Sequence, residues 1–287
     1  MSKEPQRNLE ALRARIKEDG SAVALQLFGM TGHGKSSLIN SCVCVLKNIQ
    51  YHNIAGAGRS DGGMSNKREE HKLTKSLIII DNRGFRKMMP QEIAEACAQI
   101  RSLRDIGKVD WDKDNLEETI RQFPLKYQTY QTEQHPHFIL PVLVYSGAQT
   151  WNANDAECME KLITNAYRIT GIHPVIVITN RDNRNHNSIL ERFGELGAMR
   201  RLCIQNYTEN NHQRTDERDQ QILEFLDVCI REARRGINMQ EGEDPQTRFV
   251  SQASEQIKLE SDQLREQFRQ ENDKLKEAIK KEGCSVS

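Results

Sequence analysis

The 287-residue chain carries 41 Lys+Arg against 41 Asp+Glu, so its net charge is zero and it lacks the global basic field of a nucleic-acid binder. Apolar residues are 37% and charged residues 29%, too polar for a wholly globular chain but natural for a globular domain joined to solvated helices. No run reaches membrane-spanning length, no apolar stretch follows Met1, and the seven cysteines form no metal-spaced pairs, so the expectation is a cytoplasmic chain without a secretory signal.

Residues Asn8 to Lys17 have the spacing of a charged helix with Leu9, Leu12 and Ile16 on one stripe, and Asp19-Gly20 ends it. Residues 1–20 are expected as an N-terminal helix set apart from the main domain, a surface lead-in or a partner-binding arm. Ala22 to Phe28 is short, apolar and free of Pro, which predicts a buried strand. Gly29-Met30-Thr31-Gly32-His33-Gly34-Lys35-Ser36 then matches G-x-x-x-x-G-K-[ST] at every fixed position, and Ser37 to Val43 is apolar at helical spacing. Strand, glycine loop and helix are the context the motif requires. Its glycines let successive N–H groups turn toward phosphate oxygens, and the helix N-terminus adds its positive end. Lys35 would sit between the β- and γ-phosphates, and the Ser36 hydroxyl would ligate Mg²⁺. Cys42 and Cys44 on the following helix read as packing residues.

Asn53 to Lys67 is a Gly-, Ser- and Asn-rich loop in which Ser60 and Ser65 are hydroxyls able to reach Mg²⁺ or the γ-phosphate, with Ser65 preferred. An edge strand is expected over Arg68 to Leu73. Leu77 to Ile80 is a buried strand that delivers Asp81 at its carboxyl end, where open α/β sheets place their ligands. Asp81 would hold Mg²⁺ through its water shell, and the Gly84 N–H would sense the γ-phosphate. From Phe85 to Pro136 the pattern is helical and loopy, with Ile93, Ala94, Cys97 and Ile100 on one stripe; Val109 to Asp114 is acidic but is not a calcium loop.

Further strands are expected over Phe138–Tyr145, Pro174–Thr179 and Arg201–Ile204, with helices over Asp155–Ile169, Ser188–Leu196 and Glu217–Arg234. That alternation predicts an α/β fold, a doubly wound, mostly parallel sheet covered on both faces, spanning residues 21–235. Residues 236–247 read as a linker and 248–287 as a charged C-terminal helix and tail. Ile257, Leu264, Phe268, Leu275 and Ile279 form a broken heptad-like stripe, for a coiled coil or a helix folded back on the domain. Cys284-Ser285-Val286-Ser287 has the C-a-a-X form, which predicts either farnesylation at Cys284 with reversible membrane association or an ordinary free thiol.

Thr179-Asn180-Arg181-Asp182 follows a predicted strand. A carboxylate at Asp182 would accept from both N1–H and the 2-amino group of guanine, which adenine lacks. Together the sets Gly29–Ser36, Asp81-x-x-Gly84 and Thr179-x-x-Asp182 resemble the translation-factor-related class of P-loop GTPases. The detail G-x-T-G-x-G-K-S-S, which includes Ser37, is similar to the immunity-associated (GIMAP, septin-like) and interferon-induced GTPase-like proteins. The resemblance covers about Ala22 to Arg234 and implies a small-GTPase-like switching fold that binds GTP or GDP with Mg²⁺. Four departures stand out. Asn180 replaces the Lys of [NT]-K-x-D. Asn82-Arg83 replaces Thr-Pro or Thr-Ala. The Gly-rich loop offers no obvious switch threonine. Phe85 occupies the place of the Gln that orients the attacking water in Ras-like enzymes. Slow hydrolysis follows, with Arg83 and Arg86 as candidate charge stabilisers or solvated surface arginines. His33 would contact a phosphate or a facing subunit in a homodimer across the nucleotide that stimulates turnover, or be solvent-exposed. An ATP-binding P-loop enzyme and a non-hydrolysing, nucleotide-bound scaffold are the alternatives.

Overall fold

A computed structural model describes residues 3–56, 68–102, 137–151, 153–181 and 185–241, and Arg269. Six strands among the described residues form one sheet: β1 (Val23–Phe28), β2 (Glu69–Lys72), β3 (Leu77–Asp81), β4 (Phe138–Ser146), β5 (Val175–Thr179) and β6 (Arg200–Cys203), in the order β2-β3-β1-β4-β5-β6. Every pairing is parallel except β2 with β3, where Glu69 faces Asp81. The short apolar runs are central because both their faces must be covered. β2, with its charged and mostly exposed residues, takes the edge.

Among the described residues the helices are α1 (Lys3–Glu18), α2 (Lys35–Lys47), α3 (Pro90–Ile100), α4 (Ala153–Thr170), α5 (His186–Glu195) and α6 (Asp216–Glu241). Alternate strand residues divide the core into two main layers. Val23, Leu25, Leu27, Val142 and Val177 pack with α1, α2 and α6, whereas Phe28, Leu143, Tyr145, Ile176 and Ile178 pack with α3, α4 and α5. This is the doubly wound, mostly parallel sheet, covered by helices on both faces, that the alternation predicts. α3 starts where Pro90 takes the first helical position and Glu92 reaches back to the Met89 N–H at 3.2 Å.

Two boundaries differ from the expectation. α1 does not stand apart, because Leu9 and Ile16 are buried in the same core as α2 and α6. α6 runs past residue 235 to Glu241, with Gly236 inside it. A Cβ at Gly236 would lie 2.2 Å from the Phe138 ring, so glycine there admits an aromatic side chain rather than ending the helix. Met1–Gln240 and Glu241–Ser287 form two units. Ser60, Ser65, the Val109–Asp114 segment, Asp182, the heptad-like stripe and Cys284 lie outside the described residues.

Candidate functional site

The carboxyl ends of β1, β3, β4, β5 and β6 converge on the glycine loop. Gly29 leaves β1 at φ 148°, where a Cβ would stand 2.1 Å from the carbonyl oxygen of Val144 on β4, so only glycine brings the loop this close to the sheet. Gly34, at φ 90°, forms the N-cap of α2. No side chain caps this helix, and its first turn holds no acidic residue. The positive end of α2 is therefore not neutralised by its own sequence, as an anion site requires.

Lys35 is 6% exposed, and its Nζ donates to the carbonyl oxygens of Gly29 and Met30, both at 3.0 Å. Burial pushes its pKa down to about 8, and the nearby Asp81 opposes the shift. A buried ammonium held by neutral carbonyls gains most from an adjoining polyanion. Ser36 Oγ donates to Asp81 Oδ2 at 2.9 Å, so the structure brings together the two residues the sequence assigns to Mg²⁺. A hydroxyl beside a carboxylate suits an ion that otherwise takes water and phosphate oxygens. Among the described residues no cluster of three or more His, Cys, Asp or Glu would hold a metal unaided. Ser37 is partly buried, and its carbonyl accepts from Ser41 Oγ at 2.7 Å.

Gly84 and Phe85 lie directly on the loop. The Phe85 N–H donates to Gly29 O and the Thr31 N–H to Phe85 O, both at 3.0 Å. A Cβ at Gly84 would be 2.7 Å from the Cα and N of Thr31. The Phe85 ring is buried and stacks on Phe28 with centroids 6.4 Å apart. Gly32 is exposed at φ 80°. His33 is not solvent-exposed. It is 7% exposed and meets Tyr145 edge-on at 4.7 Å, and Nδ1 is buried without a hydrogen-bond partner. Burial, then Lys35, lowers its pKa to about 4, so the ring is neutral. Tyr145 offers an aromatic neighbour, which explains the inward turn. Arg83 is not a solvated surface arginine, being 8% exposed with its pKa lowered by burial, whereas Arg86 is exposed.

On the other flank, Thr179 Oγ1 donates to His33 O at 2.9 Å and so fastens the end of β5 to the loop. Asn180 has φ 56°, and its Nδ2 donates to Ser146 Oγ at 2.8 Å. Two asparagines have structural tasks that the sequence does not assign: Asn82, which it marks only as a departure from Thr-Pro or Thr-Ala, and Asn206. Asn82 donates to Leu27 O and accepts from Arg68 Nε, both at 3.1 Å, which ties β2, β3 and β1 together beneath the site. Asn206, just after β6, donates to Gly34 O at 3.1 Å, and its buried Oδ1 has no hydrogen-bond partner. The signal for Asn206 was its place at a strand's carboxyl end, where a ligand wall is expected.

No protein-family model and no curated protein matches the chain. Among solved structures it is similar to Toc33 from Arabidopsis thaliana, at 12% identity and a TM-score of 0.43 over 80% of this chain and 92% of that one. It is also similar to a bacterial selenocysteine-specific elongation factor, EF-Sec, at 15% identity and a TM-score of 0.41 over 75% of this chain and 29% of that one. A third similarity, at 13% identity and a TM-score of 0.41 over 80% and 90%, is to a structure of the chloroplast translocon components atToc33 and psToc159, described there as GTPases for whose activity dimerization is important. The site's own geometry carries the functional reading.

Proposed function

We propose that this chain is a guanine-nucleotide-binding switch that holds GTP or GDP with Mg²⁺ and hydrolyses GTP slowly. The observation that carries the reading is the Ser36–Asp81 pair beside a buried Lys35, at a helix N-terminus that no side chain caps. The loop from Gly29 through Ser37 would cradle the phosphates, and Lys35 would place its charge between the last two. Ser36 and Asp81, with Ser65 from the Gly-rich loop, would hold Mg²⁺, which when bound neutralises charge on the β- and γ-phosphates. Thr179 and Asn180 shape the base wall, and Asp182 would read the donors of guanine. Gly84 abuts the loop, as a γ-phosphate sensor must. The Phe85 side chain cannot orient a water as the Gln of Ras-like enzymes does at that place. A second copy would supply such a group, giving turnover that rises with protein concentration.

The test is competition of labelled GTP by ATP and GDP, followed by phosphate release over a range of protein concentrations. Selective displacement by GDP and turnover per molecule that rises with concentration are expected. Equal displacement by ATP would replace the reading with an ATP-binding enzyme. Tight GTP binding without phosphate release would make the chain a nucleotide-bound scaffold.

A further inference from the structure

We infer that α1 governs how long the nucleotide stays bound, and that Arg13 is the positioning residue through which it acts. The inference rests on the guanine-nucleotide reading above. Asn206 walls the site by donating to Gly34 O of the glycine loop at 3.1 Å. Its neighbour Tyr207 is fully buried, and the Tyr207 N–H donates to Ser41 Oγ in the middle of α2 at 2.8 Å. The Tyr207 hydroxyl donates to Asp219 Oδ1 at 2.9 Å, in the first turn of α6. Asp219 is 6% exposed and pairs with Arg214 and, at 3.6 Å, with Arg13 Nη2 of α1.

Arg13 therefore acts at two places. Its Nε donates to Val45 O near the C-terminal end of α2 at 2.9 Å, and its Nη2 charge helps to hold the carboxylate that Tyr207 bonds. Arg214 grips the same end of α2 through Asn48 Oδ1 at 2.9 Å. The helix whose N-terminus would face the phosphates and the loop that carries Asn206 against Gly34 are thus fixed by one buried carboxylate. One of its two arginine partners comes from outside the sheet-and-crossover unit. Removing a charged member of a buried network leaves its partners poorly compensated. Without Arg13, Tyr207 and with it Asn206 gain freedom to leave Gly34.

Release of mant-GDP from the full-length chain, chased with excess GDP, tests this in the wild type, Arg13→Met, Tyr207→Phe and the double variant. Arg15→Met is the control, because it breaks an exposed pair with Asp227 between the same two helices. Each test variant is expected to release mant-GDP about ten-fold faster at an unchanged association rate. The double variant should match the faster single one, since both act through Asp219, and Arg15→Met should behave as wild type. Tyr207→Phe keeps the ring, so it carries the test if Arg13→Met does not fold. Wild-type release rates in both single variants, or effects that multiply in the double variant, would overturn the inference. A wild type that fails to bind mant-GDP would instead overturn the guanine-nucleotide reading beneath it.

Discussion

Substituting Gly84 measures how firmly the segment after β3 is docked on the glycine loop. An alanine Cβ there would stand 2.7 Å from the Cα and N of Thr31, backbone atoms that cannot rotate away. Ordinary contact begins at 3.4 Å, so the two segments must separate by about 0.7 Å, the difference between those distances. The two backbone hydrogen bonds between Phe85 and the loop are 3.0 Å long, and neither survives that displacement. Two such bonds contribute roughly 1–3 kcal/mol, which corresponds to an approximately 5- to 150-fold loss of the docked state. Hydrogen exchange at the Thr31 and Phe85 amides reads this directly. In Gly84→Ala their protection should fall by that factor while the amides of β1 and β4 keep theirs, and phosphate release should slow. Unchanged protection at both amides would refute the reasoning, because the docking would then tolerate a side chain that the distances exclude.

Three further outcomes follow from single contacts. Ser36→Ala removes the hydroxyl partner of Asp81, so GTP affinity should become nearly the same with Mg²⁺ and with chelator, whereas the wild type should weaken on chelation; calorimetric titration checks this. His33 has its pKa lowered to about 4 by burial, so the unfolded chain binds the extra proton and stability is lost as pH falls from 6.5 toward 4. That loss is about 2 kcal/mol between about pH 7.5 and pH 5 in urea titrations, and His33→Phe should reduce the difference by the same amount. Gly236→Ala should lower the melting temperature despite alanine's better helix propensity, because its Cβ meets the Phe138 ring at 2.2 Å; a raised melting temperature would mean that ring moves freely.

Most of the fold could be read from the sequence because apolar runs of strand length are separated by helix-period segments. β3 is four apolar residues and an acid, and it lies where that pattern puts it. The glycine loop and its Ser36–Asp81 contact were readable for a related reason: the motif sets residue type at fixed spacing on the carboxyl ends of β1 and β3. The missed features depend on three-dimensional neighbours. Gly236 reads as a break until Phe138 is seen against it. The inward turn of His33 needs Tyr145, more than a hundred residues away on β4. Asn82 and Asn206 are ordinary polar residues in sequence, and only the carbonyls of Leu27 and Gly34 give them their tasks. α1 looks detachable because its stripe is short, yet Arg13 reaches a carboxylate on α6 that no local pattern announces.

Phe85 bears most directly on the proposed slow hydrolysis, because the obvious way to test that reading would be to replace it with glutamine. The structure predicts that the replacement brings no gain. Phe85 is 6% exposed, packs in the core layer with Met88 and Ile93, and stacks on Phe28. Its side chain is thus turned into the protein, while its backbone holds the glycine loop. A glutamine in the same place would give up aromatic burial and carry an amide into an apolar layer, a destabilisation of roughly 3–5 kcal/mol. The following loop resists rearrangement, since the Glu92 carboxylate accepts from the N–H groups of Arg86 at 2.9 Å, Lys87 at 3.3 Å and Met89 at 3.2 Å. Phe85→Gln should therefore lower the melting temperature and leave phosphate release per molecule no faster than wild type. A ten-fold gain in turnover with an unchanged melting temperature would refute this, because a side chain at position 85 would then swing to the nucleotide at no cost to the packing.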